Sequence, residues 1–161
     1  MAARANEKDC QPGEEGLNTK AKEHPVIWLQ GVKAKKMAKI LVVDDDPDMV
    51  EVMKVALESA SHKVVVAYNG QQGVDKARSQ KPDAIILDIM MPVKDGFVTC
   101  KELKDDPSCR DIPILVLTGV SEHFAHSRYA KSMGLDLDAE DYIDKPVDPK
   151  TLLARLDRLL K

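Results

Sequence analysis

From Lys39 onward, apolar residues follow two alternating patterns: short unbroken runs, and longer stretches in which they return every third or fourth position. Ile40-Leu41-Val42-Val43, Val64-Val65-Val66-Ala67, Ala84-Ile85-Ile86-Leu87 and Ile114-Leu115-Val116-Leu117 are too short for helices and rich in β-branched side chains. Such runs predict strands, the unbroken apolar ones buried on both faces. Met49, Val50, Met53 and Leu57 recur at helical spacing behind Pro47, and proline is favoured at the first helical position after an aspartate cap. Helices are expected likewise over Gly70 to Ser79, Gly96 to Leu103 and about Glu122 to Met133. A short strand near Tyr142-Ile143 and a last helix from Asp148 or Pro149 to Leu160 complete the series. About five strand–helix units in succession imply an α/β, doubly wound (βα)5 parallel sheet with right-handed crossovers. Ligands of such sheets bind beyond the carboxyl ends of the strands, where the strand order switches.

The residues expected at those ends are Asp44, Asp45 and Asp46 after the first strand, Asp88 after the third, Thr118 after the fourth and Lys145 after the fifth. Carboxylates gathered in one crevice repel by about 1 to 4 kcal/mol per close pair, so the cluster calls for a cation. Oxygen-only ligands suit Mg²⁺. A bound Mg²⁺ and a lysine can together hold a phosphoryl group, and a carboxylate can attack phosphorus to give an acyl phosphate. Asp88 is the best nucleophile, because it ends the most apolar strand and precedes Met91-Pro92 and Asp95-Gly96, a turn-rich loop that leaves it open at the crevice. Thr118 could donate a hydrogen bond to one phosphoryl oxygen and Lys145 a charge-assisted one to another. Singly, each has a plainer role: Asp46 as a helix cap, Thr118 as a turn former, Lys145 as a loop lysine. Their shared position at strand ends is what gathers them into one pocket.

Composition narrows the class. A chain of 161 residues, 43% hydrophobic and 32% charged, has apolar material for one core and no second catalytic domain. Its longest apolar runs fall far short of the roughly 20 residues of a membrane helix. Residues 1 to 36 carry a net +2 and the remainder −5, and so acidic a body argues against direct binding to DNA or other phosphate backbones. Cys10, Cys100 and Cys109 form no metal-ligand spacing, which fits reduced thiols and a cytoplasmic protein. Residues 1 to 36 show no sustained period and are expected to be a flexible extension. Its apolar cluster Val26-Ile27-Trp28-Leu29 is too short for a secretory signal. Three readings stand: a docking segment that inserts Trp28 into a groove, or, the plainer ones, a dispensable leader or an over-extended reading frame ahead of a start at Met37.

Ile40-Leu41-Val42-Val43-Asp44-Asp45-Asp46-Pro47, Leu87-Asp88-Ile89-Met90-Met91-Pro92 with Asp95-Gly96, Leu117-Thr118-Gly119 and Asp144-Lys145-Pro146 together resemble the receiver domain of two-component response regulators. The resemblance covers residues 37 to 161 and implies the flavodoxin-like strand order 2-1-3-4-5. It implies Asp88 as phosphoacceptor, with Asp44, Asp45, Asp88 and the Met90 backbone carbonyl binding Mg²⁺. Thr118 and Lys145 would contact the phosphoryl group, with a cis bond at Lys145-Pro146. A phosphoryl group adds roughly −1.5 to −2 charges, drawing Thr118 in and letting Tyr142 turn inward as the second switch residue. The plainer reading of Tyr142 is a half-buried strand residue with its hydroxyl in water. The resemblance further implies a signalling switch whose only chemistry is its own Mg²⁺-dependent phosphorylation and dephosphorylation. Its partners would be a sensor histidine kinase or histidine phosphotransfer protein and an unknown downstream protein target. The target would meet the face of the fourth helix, last strand and last helix.

Several residues depart from the family pattern. Thr118 to Lys145 spans 27 positions, longer than usual, with the excess expected in Gly134 to Ala139. Lys94 replaces a usually apolar residue, which predicts a more exposed loop beside Asp88. The chain stops at Lys161 directly after the last helix, so no output domain is expected and signalling is read as protein contact. Apolar Met90 and Val120 flanking the pocket would orient a hydrolytic water poorly and give a long-lived phosphorylated state. His123 and His126 are expected on a solvated helix face without a metal. A haloacid-dehalogenase-like phosphohydrolase could use Asp44-x-Asp46, Thr118 and Lys145. It would leave Asp88 without a role, and Asp48 stands where that family has Thr or Val. A flavin binder of the same fold would find three aspartates where it needs a loop that cradles phosphate.

Overall fold

The computed structural model describes residues 37–92, 94–119 and 138–161. The elements are β1 (Lys39–Val43), α1 (Pro47–Ser59), β2 (Lys63–Ala67), α2 (Gly70–Gln80), β3 (Ala84–Asp88), α3 (Gly96–Asp105), β4 (Ile114–Thr118), β5 (Asp141–Asp144) and α4 (Pro149–Leu159). All five strands are parallel, in the order β2-β1-β3-β4-β5. The sheet is the expected flavodoxin-like, doubly wound one. Outside the described residues lie the segment 1–36 with its Trp28 cluster, the helix expected over 122–133 with His123 and His126, Val120, and Gly134 to Leu137 of the lengthened connection.

Side chains alternate along each central strand, and an apolar layer covers both faces. Leu41, Val43, Ile85, Leu87, Ile114 and Val116 join Val74, Ala77, Cys100 and Leu103 on the α2–α3 side. Ile40, Val42, Ala84, Ile86, Leu115 and Leu117 join Val50, Met53, Leu57, Leu152 and Leu156 on the α1–α4 side. Apart from Lys39 at the start of β1, the three central strands are therefore buried, whereas Val64, Val65 and Val66 of edge strand β2 are only partly covered. Tyr142 is not half-buried as expected. At 6% exposure it belongs to the α2–α3 core, because β5 pairs with β4 at Val116↔Tyr142 and carries the ring into that layer.

Polar side chains mark where the helices begin. Asp46 caps α1 by accepting from the N–H groups of Asp48 and Met49, with Pro47 in the first turn. Asn69 caps α2, Asp95 caps α3, and Asp148 caps α4 by accepting from Thr151. At the far end of α2, Lys81 takes the left-handed conformation (φ 48°) and donates to the Ala77 carbonyl, turning the chain into β3. Among the described residues, no helix is long and apolar enough to cross a membrane.

Candidate functional site

Register brings the acidic residues together. β1 and β3 are adjacent with Val43 opposite Leu87, so the next residues, Asp44 and Asp88, leave the sheet side by side at its carboxyl edge. Asp44 is fully buried, Asp88 is 2% exposed, and Asp45 turns outward into solvent. One carboxylate oxygen from each of Asp44, Asp45 and Asp88 lies within 4.8 Å of the others. Asp46 does not join them, because its carboxylate caps α1.

Lys145 arrives from the other side. Thr118 pairs with Asp144 across β4 and β5, and the Thr118 carbonyl accepts the Lys145 N–H at 2.8 Å, which fixes the lysine at the strand ends. Its Nζ lies 3.0 Å from Asp88 Oδ2 and 3.1 Å from Asp44 Oδ2. The remaining oxygens are held by backbone. Asp44 Oδ1 accepts from the Asp46 N–H at 2.9 Å, and Asp88 Oδ1 from the Met90 N–H at 3.1 Å. The Lys145–Pro146 peptide is cis. Thr118 is fully buried at the end of β4, one residue beyond Leu117, the register partner of Asp88.

Burial and charge oppose each other here. Burial pushes the Asp44 carboxyl above the usual carboxylate range, against the Asp46 N–H and the Lys145 ammonium, which favour the charged form. Burial also pulls Lys145 down, but its hydrogen bonds to Asp88 and Asp44 outweigh that and hold the ammonium above the usual lysine value. Three carboxylates against one ammonium leave a formal −2, which one divalent cation cancels. The donors are all oxygen, so the set fits a hard ion such as Mg²⁺.

Two glycines, which the sequence marks only as turn and helix-start residues, shape this site. A Cβ on Gly96 would stand 2.3 Å from the Asp88 carbonyl oxygen and 2.4 Å from Ile89 Cα. A Cβ on Gly70 would stand 2.0 Å from Thr99 Oγ1. The Lys94 side chain itself is 19% exposed because it folds back onto Glu102, whereas Met90, Pro92 and Asp95 of the same loop beside Asp88 are exposed.

The family model described as the response regulator receiver domain matches residues 40–157. The chain is 39% identical over 123 residues to the alkaline phosphatase synthesis transcriptional regulatory protein PhoP of Bacillus subtilis, covering 76% of this chain and 48% of PhoP. It is 37% identical over 124 residues to Protein PilH of Pseudomonas aeruginosa, covering 77% of this chain and 98% of PilH. It thus spans about half of the one relative and nearly all of the other. Among solved structures, chemotaxis protein CheY4 of Vibrio cholerae is similar with a TM-score of 0.68 and 34% identity, over 78% of this chain and 100% of that one. The receiver domain of sensor histidine kinase PA1611 from P. aeruginosa, at TM-score 0.67 and 29% identity over 78% of this chain and 98% of that one, has a magnesium ion coordinated in its active site cleft.

Proposed function

The chain belongs to the response regulator receiver family, whose members are signalling switches, and from that premise we propose that it accepts a phosphoryl group on Asp88. The observation that carries this reading is the shared lysine: Asp88 and Asp44 each place one oxygen about 3 Å from Lys145 Nζ, with Asp45 close by. Asp44, Asp45, Asp88 and the Met90 carbonyl would hold Mg²⁺, which supplies positive charge to the phosphoryl oxygens. An Asp88 oxygen attacks phosphorus, the bond from phosphorus to the donor breaks, and the donor leaves with the electron pair. Lys145 stays charged throughout and exchanges part of its bond to Asp88 for one to the phosphoryl group. Thr118 donates its hydroxyl to a second phosphoryl oxygen.

The donor is a sensor histidine kinase or a histidine phosphotransfer protein, as befits a receiver. The added charge pulls the hydroxyl of the buried Thr118 toward the phosphoryl group, and Tyr142, already packed in the core on the adjoining strand, repacks in response. This changes the surface formed by β5, α4 and the helix expected before β5, and a downstream protein reads it. Residues 37 to 161 make up this receiver, with 1 to 36 an extension to it. PilH, of which the chain covers 98%, supports a reading in which the receiver acts by protein contact.

The test is incubation with Mg²⁺ and acetyl phosphate followed by intact mass. Wild type gains one alkali-labile phosphoryl group that EDTA prevents, and Asp88→Asn gains none. Donor turnover without mass gain, lost in Asp44→Asn and kept in Asp88→Asn, would point to the phosphohydrolase instead.

A further inference from the structure

The loop after Asp88 closes at a narrow neck. The Ile89 carbonyl accepts both the Met91 N–H (3.1 Å) and the Gly96 N–H (3.0 Å), so one backbone oxygen joins the two ends. Met90, just beyond that neck, donates to Asp88 Oδ1. Met91 packs its side chain into the α2–α3 core and anchors the near side of the loop, while Met90 is exposed, so the orientation of its backbone also depends on how the far side of the loop is held.

Lys94 ties the far side of this loop. Its Cγ and its carbonyl oxygen pack so close to Gly70 of α2 that a Cβ there would stand 3.0 Å from each. Its ammonium then bonds Glu102 Oε2 on α3 and reaches Gln71 Oε1 on α2 at 3.3 Å. Glu102 is oriented in turn by Arg78 of α2, 3.5 Å from its Oε1, and Arg78 pairs with Asp106 at 2.6 Å. One lysine therefore spans the loop and both helices on this side of the sheet. Partly exposed ion pairs add little stability. Holding a long side chain in one place also costs rotamer entropy, so global stability is a weak account of the arrangement.

We propose that Lys94 is a positioning residue of the acceptor site: by bridging to Glu102 and Gln71 it holds the Asp88 loop so that the Met90 backbone keeps its N–H on Asp88 and its carbonyl toward the Mg²⁺ position. This rests on the reading of Asp88 as acceptor and Met90 as a backbone ligand. It predicts an effect on ion affinity that is separate from folding. Residues that orient metal ligands without touching the metal typically change affinity by about 10- to 100-fold, and a strap acting through backbone belongs at the low end.

The full chain is titrated with Mg²⁺ by calorimetry, and its labelling by acetyl phosphate is followed across Mg²⁺ concentrations. Wild type, Lys94→Ala, Lys94→Arg, Glu102→Gln and the Lys94→Ala/Glu102→Gln double variant are compared, each with a urea unfolding curve. Lys94→Ala and Glu102→Gln should bind Mg²⁺ about 10-fold more weakly, while their labelling rate at saturating Mg²⁺ stays near wild type. Lys94→Arg should recover most of the affinity. The double variant should be no weaker than the worse single one, since both remove the same bridge. Unchanged Mg²⁺ affinity in a folded Lys94→Ala would overturn the proposal and leave Lys94 a packing residue. Should Lys94→Ala not fold, Glu102→Gln alone decides by the same criterion. A wild type that binds no Mg²⁺ and takes no phosphoryl group defeats the acceptor reading itself, and the strap falls with it.

Discussion

At the scale of single residues, the site depends as much on what is absent as on what is charged. Gly96→Ala would force a methyl group to 2.3 Å from the Asp88 carbonyl, against backbone that cannot yield without moving the acceptor. We expect a loss of about 1 to 3 kcal/mol in urea unfolding, as for overpacked cores, together with slower labelling of Asp88 by acetyl phosphate. Cys100 gives a second residue-scale outcome. Burial pushes its thiol up to about 12, so at pH 8 it should resist a disulfide exchange reagent until the chain is unfolded. A raised thiol pKa contributes stability that is complete below the ordinary value of the unfolded thiol. That contribution should fade as pH climbs from about 9 toward about 12, and Cys100→Ala should flatten the decline. Asp44 and Asp88 were legible because each directly follows an apolar run, and Lys145 because it stands just past the short strand at Tyr142-Ile143; a strand end is a position the sequence pattern reveals. Gly96 and Lys94 were legible only as turn chemistry and as a departure from pattern. Their roles depend on the path of a loop packed between two helices, and no local periodicity records that path.

At the scale of elements, expectation and structure differ mostly by one or two residues at the ends, for a uniform physical reason. The apolar runs mark the residues that face the core, whereas the backbone ladder continues one step into polar neighbours, as at Lys39↔Lys63 and Thr118↔Asp144. α3 likewise runs to Asp105, past its last core residue Leu103, because the turns beyond are solvated. Asp46 was legible as a cap, and Asp95 and Asp148, not read as caps from the sequence, likewise stand where a polar acceptor precedes Gly or Pro at a helix start. Asp148 makes a testable case. Its carboxyl lies below the usual range, first because the Thr151 N–H donates to it and then because the Thr151 hydroxyl does. A depressed carboxylate pKa contributes stability above the ordinary carboxylate value and loses it as pH falls through the folded value. Asp148→Asn should keep the cap yet lose this acid-dependent part, and Asp148→Ala should lose both, shown by thermal midpoints at pH 7 and pH 3.

At the scale of the molecule, a stable two-sided core carries an unstable patch of charge at one edge. Deletion of core volume, as in Ile86→Ala, should cost about 2 to 5 kcal/mol in urea unfolding, because that side chain is fully buried between the sheet and the α1–α4 layer. The acidic edge should behave oppositely. Asp45 is exposed and shares a crevice with two buried carboxylates that one lysine already serves. Without Mg²⁺, Asp45→Asn should therefore raise the unfolding midpoint slightly, by up to about 1 kcal/mol, the water-screened repulsion between charges at close range. With saturating Mg²⁺ the order should reverse. An ion that binds only the folded state stabilises it by mass action, by about 2.7 kcal/mol at a hundredfold excess over its dissociation constant, and the variant lacks one of the ligands that supplies the affinity. Unfolding curves of both proteins, with EDTA and with Mg²⁺, should cross in rank. Parallel shifts would mean that Asp45 takes no part in holding the ion. A crossing ties the edge's instability to its function, since the repulsion that costs stability without the ion is the same charge that binds it.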